Sequence, residues 1–142
     1  MPKRIELSPF EEKWGVRRVG WGSGMTLRCT HCGGTMGTIN RGDWMHRANL
    51  YGEPAYEVRI LIEAHLASPE TPRQCLEYHF AMSKRFYRSI ASNPSSDVVW
   101  LQTIAQNGGW NWTLSENPVL PLLLLEDPAH EEWIRPLLKV WY

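Results

Sequence analysis

Arg88-Ser89-Ile90-Ala91-Ser92-Asn93-Pro94 sits in the middle of the chain and sets the reading of its second half. Proline disfavours helical backbone at the residue before it, so a helix carrying Ile90 and Ala91 has to stop near Asn93 and a new element has to start beyond Pro94. The same punctuation appears on either side, at Ser68-Pro69 and Asn117-Pro118, 25 residues upstream and 24 downstream. Apolar residues precede each dipeptide (Leu66-Ala67, Ile90-Ala91, Leu114), and leucine stands at the seventh position after each proline (Leu76, Leu101, Leu125). A breaker recurring at a near-constant interval in the twenties predicts stacked units that share one core and are not stable singly. Helices are expected over 72–82, where Cys75, Leu76, His79 and Phe80 recur at three and four, over 95–107, and over 118–126.

Upstream the texture changes. Nine of the eleven glycines precede Pro54, a spacing that no helix of ordinary length can run through. Between them lie Val16–Trp21, Met25–Cys29, Thr35–Asn40 and Trp44–Tyr51, short segments rich in Thr, Val, Ile, Trp and Met that read as strands joined by tight turns. Residues 14–51 are therefore an irregular β-type module. The composition shift at Glu53-Pro54 divides the chain into a β-type module over 1–53 and a helical, repeat-like domain over 54–142, an α+β protein. Tyr56–Leu66 is ambiguous: apolar residues at 56, 58, 60, 62, 64 and 66 follow strand period, while the preceding Glu53-Pro54 and the Ala, Glu, Arg and Leu content favour a helix.

The run from Arg88 to Pro94 resembles the arginine, small-residue and Asn-Pro pattern of leucine-rich repeat variant proteins. The resemblance covers about residues 56–128 and implies a short solenoid of alternating α- and 3₁₀-helices. Three positions depart from it: Ser68 stands in place of asparagine, Asp97 replaces the second proline that Pro72 and Pro121 supply, and Trp112 stands in place of arginine.

Cys29-Thr30-His31-Cys32-Gly33-Gly34 is the sharpest local motif. Two thiolates at this spacing grip one metal from a tight turn, and glycine just after the second cysteine lets backbone amides approach the sulfurs. The motif resembles half of a zinc ribbon. A structural zinc needs four ligands, and no second C-x₂-C follows. Cys75 with His79, four apart on one helix face, completes a set of Cys29, Cys32, Cys75 and His79; His46, His31 and His65 are the other candidates. Three cysteines in a chain with no export signal read as thiols or metal ligands rather than as a disulfide framework.

Fifteen basic and fifteen acidic residues cancel, which argues against a surface built throughout for nucleic acid or anionic lipid. Residues 1–47 nevertheless hold eight bases against four acids, a net +4, so the remainder carries −4. Arg17, Arg18 and Arg28, interleaved with Trp14 and Trp21, fit a nucleic-acid-binding segment, as does Lys84-Arg85-Phe86-Tyr87-Arg88; the plainer reading makes the rings core and the charges the wet edge of the same elements. Eight tryptophans are too many for one small core to enclose, so some of Trp100, Trp110, Trp112, Trp133 and Trp141 are expected at a surface that meets another protein. The longest apolar run, Val119–Leu125, contains a proline and falls far short of the roughly 20 residues that span a bilayer. The start, Met1 to Pro9, has no apolar core of a secretory signal, which makes the cytoplasm the default. Gly20–Gly24 lacks the lysine-hydroxyl pair of a P-loop, His130-Glu131-Glu132 has no second histidine, and no nucleophile elbow is present, so an enzyme is the minority reading, one that would need a cleft of convergent titratable groups. The expected function is a non-catalytic protein–protein interaction or assembly module with a structural zinc; the alternative is a nucleic-acid-binding module built on the basic N-terminal segment and the knuckle.

Overall fold

The computed structural model describes residues 9–20, 24–40 and 56–138. The expected strand at Trp44–Tyr51 and the residues Trp21, Trp44, His46 and Trp141 lie outside them. The architecture is α+β: a three-stranded antiparallel sheet followed by a mostly helical part. Two compact units divide at His65/Leu66, twelve residues beyond the composition shift, because α2 (Tyr56–Ala67) counts, up to His65, with the first unit.

In the first unit a short helix α1 (Pro9–Trp14) leads into β1 (Val16–Val19), β2 (Gly24–Cys29) and β3 (Thr35–Asn40), paired in that order. Strand alternation sends Val16, Met25, Leu27, Cys29 and Ile39 to one face, where all are buried. Arg17, Arg28, Thr26 and Thr38 lie on the other. The β2–β3 register slips at Leu27/Arg28, so that Gly37 pairs with Leu27 and Thr35 with Arg28. At Gly37 the sheet admits a close neighbour: a Cβ there would come within 2.7 Å of Leu61 Cδ2. Helix α2 therefore lays Leu61 against the buried face of the sheet through a gap that only glycine leaves.

The ambiguity over Tyr56–Leu66 resolves as helix. Val58, Ile62 and Leu66 are fully buried, a stripe with spacing four, whereas Tyr56 and Ile60 are exposed. The apparent alternation was a helical stripe with extra apolar residues between its members, and period alone does not separate the two.

The second unit is helical: α3 (Arg73–Met82), α4 (Tyr87–Ser92), α5 (Val98–Asn107), α6 (Asn111–Ser115), α7 (Val119–Glu126) and α8 (Glu131–Leu138), with 3₁₀ turns at Lys84–Phe86 and Pro128–His130. Its core takes Leu76, Phe86, Ile90, Leu101, Ile104, Leu114, Leu120 and Ile134. The Asn-Pro positions are tied by equivalent bonds. Asn93 Nδ2 donates to the carbonyls of Leu66 and Ser68, both at 2.7 Å, and Asn117 Nδ2 donates to those of Ala91 at 2.8 Å and Asn93 at 3.1 Å. Each Oδ1 accepts from the amide two residues on, Ser95 N at 2.8 Å and Val119 N at 3.0 Å. Both asparagines are buried and satisfy carbonyls that proline-interrupted chain ends would otherwise leave open. Between α3 and α5, Arg73 pairs with Asp97 at 2.6 Å and lies over the Trp100 ring, and Phe80 packs on Trp100 and Tyr87.

Of the three leucines that follow the prolines, Leu76 and Leu101 are fully buried, but Leu125 is 83% exposed. Helix α7 begins two residues after Asn117, whereas α5 begins five after Asn93, so the same offset from proline lands at a different helical phase. Leu120 takes the buried place.

Candidate metal centre

The Cys29–Gly34 segment is the turn of the β2–β3 hairpin. Cys29 N donates to Gly34 O and Gly33 N to Cys29 O, each at 2.9 Å, and Gly33 supplies the left-handed backbone, φ +73°, that closes the turn. The turn aims two amides at sulfur: His31 N approaches Cys29 Sγ and Gly34 N approaches Cys32 Sγ, both at 3.4 Å. A side chain at Gly34 would sit 3.3 Å from Cys32 Sγ, so glycine keeps this approach open.

Four side chains bring their ligand atoms together: the sulfurs of Cys29, Cys32 and Cys75 and a ring nitrogen of His65 all lie within 4.8 Å of one another. Cys32 Sγ and His65 Nε2 are 3.7 Å apart. In a tetrahedral zinc site with Zn–S near 2.3 Å and Zn–N near 2.0–2.1 Å, that edge is about 3.6 Å, so this pair already stands at ligand separation. Cys29 and Cys75 are buried, Cys32 and His65 half-buried, and none of the three cysteines is in a disulfide. Burial, and to a lesser degree the neighbouring His31, hold His65 below the ordinary histidine range. Burial does the same to His31. Both shifts favour the neutral imidazole, the form that coordinates a metal. The donor set could hold a metal ion.

Three of the four sequence-derived ligands, Cys29, Cys32 and Cys75, are in this group, and His65 stands where His79 was expected. His79 is one turn beyond Cys75 on α3 as the spacing required, but its buried ring packs edge-on against Tyr78 at 5.3 Å and Phe86 at 5.1 Å. His65, one of the alternative histidines the sequence offers, is placed by the helix: it follows Leu61 by four residues and shares its face, the one turned to the sheet.

The other candidate residues are dispersed. Arg17 faces Arg28 directly across β1 and β2, whereas Arg18 pairs with Leu27 and belongs to the opposite face, so the three arginines do not form one cluster. Trp14, Phe86 and Tyr87 are buried, so the described aromatic members of the two basic–aromatic stretches are core residues. Among the tryptophans, Trp100 is buried, Trp110 and Trp133 are half-buried, and Trp112 is 57% exposed. The Trp133 indole donates to His130 Nδ1 at 3.2 Å. No described helix is long and apolar enough to cross a membrane. No protein-family model, curated protein or solved structure matches the chain.

Proposed function

We propose that the chain is a non-catalytic interaction module braced by one structural zinc ion, with a second unit that docks on another protein. The observation that carries this reading is the convergence of three sulfurs and one imidazole within 4.8 Å. Three thiolates and a nitrogen suit zinc better than harder cations, and a four-side-chain set leaves no open position for water or substrate, the arrangement of structural rather than catalytic zinc.

The paired bonds of Asn93 and Asn117 support reading the second unit as a short helical repeat of the kind the Asn-Pro pattern resembles. Its exposed apolar side chains, Val99, Trp112, Leu122 and Leu125, support docking, because large apolar groups left at a surface mark places where proteins meet. Metal analysis of protein purified under reducing conditions tests the zinc: about one zinc per chain is expected, and a metal-free chain with an unchanged melting temperature overturns the bracing role. Docking predicts association with a partner that survives high salt and is lost on Leu122→Ser/Leu125→Ser; association dispersed by salt counts against it.

A further inference from the structure

We propose that the outer face of the β1–β2–β3 sheet binds the sugar–phosphate backbone of nucleic acid without reading its bases. Residues directly opposite one another in an antiparallel pair share a face, and the register puts Arg17 against Arg28, Thr26 against Thr38, and Thr35 against Arg28. Arg28, Thr35 and Thr38 are exposed, and Arg17 and Thr26 are half-buried. The three strands contain three arginines and no aspartate or glutamate. Among the described residues neither Arg17 nor Arg28 has an ion-pair partner.

Like charges directly opposite on neighbouring strands work against pairing. An anion lying across Arg17 and Arg28 removes that repulsion. Guanidinium forks grip phosphate oxygens two at a time, and threonine hydroxyls are common additional donors to the same oxygens. Among the described residues no large apolar side chain is exposed on this sheet, so a protein partner would find no anchor among them, whereas a phosphate chain needs none. The strands also carry no aromatic residue on which a base could stack, which is why the contact is with the backbone alone.

The test is fluorescence anisotropy of a labelled single strand of about 20 nucleotides, and of its duplex, titrated with the full zinc-loaded chain between about 50 and 200 mM salt. Two phosphate contacts on a single strand contribute about 1.4 to the slope of log affinity against log salt, so Arg17→Gln/Arg28→Gln should flatten the slope by that amount, roughly sevenfold across this range. Arg88→Gln, an exposed arginine of the second unit, should change nothing. Thr38→Glu adds a carboxylate to the same face and should weaken binding independently of the arginine variant, which covers a failure of that variant to fold. Absence of binding by the unmodified chain, an unaltered slope in the folded double variant together with unaltered binding by Thr38→Glu, or equal binding to polyglutamate overturns the proposal.

Discussion

Asn117→Ala removes one side chain that makes three hydrogen bonds: its amide donates to Ala91 O and Asn93 O, and its carbonyl accepts from Val119 N. The residue is 1% exposed, so water does not replace those partners freely. At about 1 kcal/mol net for each bond, with two carbonyls and an amide left open, the expected loss is about 3–4 kcal/mol. For a unit the size of Leu66–Tyr142, a loss of about 3 kcal/mol lowers the melting temperature by roughly 12–24 °C. Asn117→Asp offers no rescue, since a carboxylate would face two carbonyl oxygens in place of a donor. Ser68→Ala supplies the contrast. Among the described residues its hydroxyl accepts only an exposed 3.4 Å bond from Glu70 N, and its loss should cost under about 0.5 kcal/mol even though the residue occupies the corresponding place before proline. Urea unfolding followed by tryptophan fluorescence measures both. A cost for Asn117→Ala below about 1 kcal/mol, or equal to that of Ser68→Ala, would refute the reasoning that buried asparagine bonds hold successive segments of this unit together.

Zinc affinity measured by chelator competition should fall at least tenfold (about 1.4 kcal/mol) in His65→Gln and stay unchanged in His79→Gln. Adding zinc to the metal-free, reduced chain should raise its thermal midpoint with concentration, reaching about 4 kcal/mol of stabilisation when free zinc is near 1,000 times its dissociation constant. The metal-free chain should also lose stability as pH falls below 6.5, the ordinary value from which His65 and His31 are lowered. The unfolded chain takes up those protons before the folded one does, so stability is flat above that value, declines below it, and levels off once the folded histidines are themselves protonated; His65→Gln should shrink the decline in a denaturation series over pH. Gly37→Ala should destabilise the first unit by about 1–3 kcal/mol, read in the same unfolding assay, because its methyl would meet Leu61.

The strands were legible from their glycine-bounded segments, and β1, β2 and β3 fall within a residue or two of Val16–Trp21, Met25–Cys29 and Thr35–Asn40. The helices after proline were legible because a proline fixes where the next helix can start. Leu125 departs from Leu76 and Leu101 because an offset counted from proline ignores where the helix begins. Of the candidate site, the C-x₂-C turn announces its own geometry, and Cys75 was reachable as the one remaining thiol. The choice between His65 and His79 was not reachable, because it depends on which helix face meets the sheet at Gly37 and on rings packed around His79, neither of which is written in local spacing. Helix α1 (Pro9–Trp14) was missed as well; six residues give no periodicity to read.

Zinc-edge X-ray absorption on the reduced, purified chain tests the central claim most directly. Three sulfurs near 2.3 Å and one nitrogen near 2.0–2.1 Å are expected, with the nitrogen shell lost or replaced by oxygen in His65→Gln. A shell of two sulfurs completed by oxygens, or a nitrogen that persists in His65→Gln and disappears in His79→Gln, would contradict the account.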